Sequence, residues 1–116
     1  MLSREALHRG DIVTIAGGSS EFGGKPRPAV LLQSPALYGA GVPVPICPIT
    51  SHPLDAPLLR IPLAAGEATG LRARSWAAID TVQTIRPHRI GARIGHLDAA
   101  AMLQINRALV VFLGID

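Results

Sequence analysis

At 116 residues and 12.1 kDa the chain has the length of one domain, residues 1–116, and its 48% hydrophobic content supplies a buried core, which excludes a disordered tail. Ten Arg and one Lys against eight acids leave a net charge of +3 at pH 7, a bias toward guanidinium groups that grip phosphate at two points. The lone cysteine, Cys47, excludes an intrachain disulfide and a cysteine-rich zinc site, and no stretch reaches the roughly 18 apolar residues of a membrane span.

Residues 1–5 hold no apolar core of signal-peptide length, so a cytoplasmic protein without membrane contact is expected. His8, His52, His88 and His96 are not spaced as a metal cage, and neither a metal nor any other cofactor is expected. Cys47 lies inside an apolar run and reads as a buried, inert thiol.

In chain order, residues 11–16 (Asp-Ile-Val-Thr-Ile-Ala) alternate with β-branched side chains and predict a strand. The glycine-rich stretch 17–24 then predicts a hairpin loop, and residues 28–33 a second strand. Residues 34–43, with Tyr38, read as a connection. Residues 44–50 predict a third strand in which Pro45 and Pro48 are expected at an edge, a bulge or a strand end, because neither can donate a ladder bond. Two more strands are expected at 58–63 and 72–79 around the turn 65–70, with 80–85 continuing or following the latter. Residues 86–89 suggest one helical turn, and 93–97 a short final strand.

After that the period changes. Asp98 is placed to cap a helix whose Met102, Ile105, Leu109 and Phe112 recur at three- and four-residue spacing, with Gly114 beyond its end. Strand after strand followed by one terminal helix predicts a small, strongly bent sheet or barrel with the helix packed on it.

Two places in this pattern carry chemistry. Arg27-Pro28 closes the glycine-rich loop just before the apolar run at 29–32, and the run at 44–49 ends at Thr50-Ser51. A guanidinium and two hydroxyls therefore stand at the ends of neighbouring strands, where a phosphate can be held. Phe22, Tyr38, Trp76 and Phe112 are the whole aromatic inventory, too few for a platform of stacked rings. Phe22 can stack one base, and Trp76 is expected in the core or on a dimer surface. Nucleic-acid binding would rest on phosphate contacts.

The segments Arg9-Gly10-Asp11-Ile12-Val13, Gly23-Gly24-Lys25-Pro26-Arg27-Pro28-Ala29-Val30, Cys47-Pro48-Ile49-Thr50-Ser51 and Asp80-Thr81-Val82-Gln83-Thr84-Ile85, followed by Arg93-Ile94-Gly95, resemble the MazF/PemK family of toxins from toxin–antitoxin pairs. The match runs in order from about Arg9 to Ile115. The resemblance implies a mainly β fold with a C-terminal α-helix, a small SH3-like barrel of the MazF/PemK/CcdB kind with five to seven strands, assembled as a homodimer. It also implies metal-independent endoribonuclease activity on single-stranded RNA and inhibition by a cognate antitoxin. The RNA's own 2′-hydroxyl would be the nucleophile, leaving a 2′,3′-cyclic phosphate and a 5′-hydroxyl. That reaction needs proton transfer and fixed positive charge on the phosphoryl oxygens.

On this resemblance Arg27 is the catalytic arginine, Thr50 the strand-end hydroxyl that donates to a phosphoryl oxygen, and Glu21 the loop acid of proton transfer. Lys25, Ser51, Phe22, Asp80, Thr81 and Arg86 are the RNA-binding candidates. The chain departs from the family in having Pro26 between the loop segment and Arg27, and in having Thr81 where Gln is usual, which shortens an amide to a hydroxyl. Asp80 is read either as orienting Arg27 or Arg86 or as capping a turn. His52 is read as a surface histidine. Two other readings remain: a non-catalytic SH3-like module that binds RNA or protein, and a toxin of the same fold that poisons DNA gyrase through its C-terminal helix. The latter requires an exposed helix end, whereas residues 113–116 are expected to be buried.

Overall fold

Runs such as Ala29-Val30-Leu31-Leu32 lack polar alternation because the sheet they form is covered on both faces. The computed structural model describes residues 7–17, 25–37 and 39–115; Glu21, Phe22 and Tyr38 lie outside them. The elements are β1 (Asp11–Ile15), β2 (Arg27–Leu31), β3 (Val44–Thr50), β4 (Arg60–Leu63), β5 (Ser75–Ala78), β6 (Gln83–Ile85), β7 (Ile90–His96) and α1 (Ala99–Leu113). Single turns of 3-10 helix occupy Pro35–Leu37, Ile79–Thr81 and Pro87–Arg89. Every strand pair is antiparallel. The strands lie in the order β4-β5-β3-β2-β1-β7, with β6 also on β3. This is the expected mainly β fold with a terminal helix, its seven strands forming a barrel-like sheet that stays unclosed.

Successive side chains of a strand point to opposite faces, and the two faces bury separate clusters. One joins Ile12, Val30, Cys47 and Ile49 to Ile105 and Ala108 of the helix. The other joins Val13, Ile15, Ala29, Leu31, Val44, Ile46 and Ile85. The functional residues discussed below border the second cluster, on the face away from the helix.

The two prolines sit near a strand end and at a break in the pairing, although their strand is central. β3 is the central strand, with β2 on one flank and β6 followed by β5 on the other. The Leu32 N–H donates to Pro45 O at 3.0 Å, so Pro45 faces the β2 flank and, by alternation, Pro48 faces the other. On that side β6 pairs with residues 44–46 and β5 with residues 49–50. The donor missing at Pro48 falls in the gap between them. At Pro45 the missing bond is made good from elsewhere, since Arg9 Nε donates to Leu32 O at 2.9 Å while its Nη2 donates to Asn106 Oδ1 at 2.6 Å. Arg9→Ala is expected to lower stability by about 1–2 kcal/mol, because Pro45 has no N–H to offer Leu32 O in exchange; urea unfolding checks this.

Motif residues near Arg9 also hold the fold together. Asp11, 5% exposed, accepts the His8 N–H at 2.8 Å and pairs with Arg93 Nε at 3.2 Å. The helix begins as expected, with the Asp98 carboxylate accepting the Ala101 N–H at 2.8 Å, and it ends at Gly114 in the left-handed region, φ 69°.

Its buried face differs from expectation. Ile105 and Ala108 are buried and Met102 and Leu109 pack against the cluster, but Phe112, one turn beyond Ala108, is 41% exposed. The tail is a further correction: Leu113 and Ile115 are 57% and 56% exposed. The apolar period continues past the point where other elements cover the helix.

Candidate active site

The register of the sheet positions part of the candidate set. Ile15 of β1 pairs with Arg27 of β2, and Ala29 of β2 pairs with Pro48 of β3. The β2–β3 pairing ends there; by alternation Arg27 shares the face of Ala29, and Thr50, which pairs with Trp76 of β5, shares the face of Pro48. Arg27 thus stands at the exposed start of a strand that is buried from Ala29 onward, with its backbone paired to Ile15 of β1.

Beside it opens a cleft of about 540 Å³. Ile15, Ala29, Ile46, Pro48 and Ile85 give it apolar walls, and Lys25, Arg27 and Arg89 supply cationic side chains. Thr81 and Gln83 add a hydroxyl and an amide, while Ala16 and Gly17 form the rim where the chain leaves β1. Among the described residues the lining contains three cations and no carboxylate. Low-dielectric walls strengthen the field of such a cluster, which makes the cleft attractive to a polyanion.

Of the expected site residues, Arg27, Lys25 and Thr81 line this cleft. The Thr81 hydroxyl donates to Ala78 O at 3.0 Å. Thr50 is half-buried at the end of β3, and its Oγ1 accepts the His52 N–H at 3.1 Å. This is the backbone capping usual for a strand-end threonine, and it leaves the hydroxyl proton for another acceptor. Ser51 and His52 are exposed just beyond. Arg86 is exposed and its carbonyl accepts the Arg89 N–H at 3.0 Å. Thr50, Ser51, Asp80 and Arg86 are not in the cleft lining, and Glu21 and Phe22 lie outside the described residues.

Asp80 is engaged differently from either expected arginine contact. It is the middle residue of the 3-10 turn Ile79–Thr81, which has no side-chain cap at its start, and its carboxylate forms an ion pair with Arg60 of β4, whose side chain is 12% exposed. Asp80 therefore ties β4 to the turn carrying Thr81, a bracing role at one remove from the cleft. Cys47, buried beside this pair, has its thiol pushed up to about 12, chiefly by burial; the Arg60 charge opposes the rise and the Asp80 charge adds to it. It is a neutral packing group without nucleophilic character at ordinary pH.

Trp76 is half-buried, pairs across the sheet with Thr50 and Pro62, and lies 5.5 Å below the Arg74 guanidinium carbon. That cation–π contact occupies a surface next to Thr50.

The family profile of PemK-like, MazF-like toxins of type II toxin–antitoxin systems matches residues 8–113. The chain belongs to this family. A probable endoribonuclease MazF of Mycolicibacterium smegmatis is 40% identical over 109 residues, covering 94% of this chain and 98% of that protein. Among solved structures, Mycobacterium tuberculosis toxin MazF-mt6 superposes with a TM-score of 0.75 at 24% identity, over 91% of this chain and 98% of its own. An endoribonuclease in complex with its cognate antitoxin, from mycobacterial species, gives 0.71 at 22% identity, over 96% and 98%. These structural likenesses establish the fold.

Two cleft residues of this MazF-like toxin escaped the sequence reading. Gln83 enters from β6, and its Nε2 donates to Thr81 O at 3.3 Å. Arg89 enters from the turn before β7. Both lie well away in sequence from Arg27, and only strand pairing makes them its neighbours. Gln83 stands inside the motif at residues 80–85 itself, and Arg89 follows four residues beyond it.

Proposed function

We propose that this MazF-like toxin is a sequence-selective, metal-independent endoribonuclease that cleaves single-stranded RNA, acting as a cytoplasmic homodimer held inactive by a cognate antitoxin. The observation that carries the reading is the clustering of Lys25, Arg27 and Arg89 in one apolar-walled cleft. Attack of the 2′-hydroxyl on its own phosphodiester puts extra negative charge on the non-bridging oxygens of the phosphorane. A fixed guanidinium at that point lowers the barrier without a metal ion. Thr50 supplies a hydroxyl donor to the same oxygens. Glu21 takes part in proton transfer; both ends of its segment, Gly17 and Lys25, line the cleft. Thr81 and Gln83 are the polar groups available to read a base. The relative solved with its cognate antitoxin supports an antitoxin partner, and the basic cleft is the surface we propose an acidic segment of it would cover.

Incubating the purified protein with a mixed-sequence RNA in EDTA and mapping the ends tests the reaction. Fragments with 2′,3′-cyclic phosphate and 5′-hydroxyl termini are expected; intact RNA, or fragments with 5′-phosphates, would exclude it. With Lys25 and Arg27 on the backbone, the apparent affinity is expected to fall by about 1.4 log units per tenfold rise in salt.

The exposed end of α1 favours one other reading, gyrase poisoning through that helix. Inhibition of gyrase supercoiling together with untouched RNA would establish it in place of the first.

A further inference from the structure

Arg89 does more than add charge. Its Nε and Nη2 both donate to the carbonyl of Ala16, at 3.2 and 2.9 Å, and its own carbonyl accepts the Ala16 N–H at 2.8 Å. Ala16 directly follows Ile15, which pairs with Arg27 on one side and with Ile90, the residue after Arg89, on the other. Arg89 therefore closes the end of β1 from the β7 side at the level where β1 supports Arg27 from the β2 side. Strand ends held by few bonds fray readily, and here the end in question bears the register partner of Arg27.

We propose that Arg89 is a positioning residue that fixes the exit of β1, and through it the placement of Arg27, for phosphoryl transfer. The planar guanidinium suits this because two of its N–H groups converge on one carbonyl oxygen while the side chain still faces the cleft. The proposal rests on the reading of Arg27 as the catalytic cation. A displacement of the order of an ångström at a reacting group costs about a hundredfold in rate, so a loosened strand end is enough to register kinetically.

The test is a double-mutant cycle on cleavage of a fluorogenic oligoribonucleotide, with R89A, R89K, R27A and R27A/R89A measured under single-turnover conditions. R89A is expected to lower kcat about tenfold with KM changed less than about twofold and Tm within about 2 °C. R89K should recover little, since an ammonium group cannot reproduce the fork. In the R27A background, adding R89A should cost less than about twofold, because no placement of Arg27 is left to lose. A loss from R89A that multiplies with that of R27A would overturn the proposal. So would a loss confined to KM with a flatter salt dependence, which would make Arg89 a direct phosphate contact, or a fall in Tm that accounts for the whole effect. If R27A itself cleaves at the wild-type rate, the reading of the site fails first, and the cycle shows this separately from any result at Arg89.

Discussion

Replacing Arg27 by alanine is expected to slow RNA cleavage by about a thousandfold while leaving the fold intact. Removal of one fixed donor from a developing oxyanion costs about a hundredfold to a thousandfold, and loss of an arginine at a transferring phosphoryl group costs more. The fold should be insensitive because Arg27 opens β2 as an exposed residue and the buried contacts of that strand begin at Ala29. Tm is expected to move by less than about 2 °C. Arg27→Lys should restore only a small part of the rate, since an ammonium offers a point charge where the guanidinium offers two parallel donors. Single-turnover rates at saturating protein, read beside a melting curve, check both statements. Cleavage by R27A within threefold of the unmodified protein would remove Arg27 from the chemistry.

The second large effect concerns stability. At Gly95 of β7 a Cβ would lie 2.2 Å from the Thr69 carbonyl carbon and 2.5 Å from Ala68 O, all backbone atoms. At Gly70, φ +72°, it would lie 2.1 Å from Ile94 O. Segments 68–70 and 94–96 therefore cross backbone against backbone, joined by the His96 N–H to Ala68 O bond of 2.9 Å. No rotamer change relieves such a contact, so Gly95→Ala must part the two segments and break that bond. A loss of about 3 kcal/mol is expected, from packing a Cβ against fixed backbone and losing one hydrogen bond, and a fall in Tm of about 10 °C. Gly91→Ala is the comparison: its new Cβ meets the Thr14 side-chain oxygen at 2.5 Å, and a side chain can turn away. A Gly95→Ala protein melting within 3 °C of the original would show that the crossing has slack.

The Arg93-Ile94-Gly95 motif thus has a packing basis. Arg93 pairs with buried Asp11 and Gly95 permits the crossing. The same holds for Arg9, which stands in for the hydrogen bond that Pro45 cannot make. These motif residues hold the sheet in the shape that brings Arg27, Lys25 and Thr81 to one cleft.

What the amino-acid sequence determined by itself is what depends on near neighbours along the chain. Alternation and β-branching marked the strands, Asp98 and Gly114 marked the ends of the helix, and Arg27 before Pro28 stood out at a loop-to-strand junction. Each signal is written within a few residues, because backbone geometry, capping and periodicity act at that range.

The tertiary structure alone decided which strand flanks which. The prolines of β3 suggested an edge, a bulge or a strand end, and only the pairing showed that the strand is central, with one missing donor facing a gap between partners and the other replaced by Arg9. Asp80 reached Arg60 on β4. Arg89 and Gln83 joined the cleft from elements that follow it by more than fifty residues. The exposed end of α1 was equally out of reach, because an apolar period does not say where its covering partner stops. Pairings of this kind are chosen by burial and hydrogen-bond satisfaction summed over the whole sheet, and no short window of sequence contains that sum.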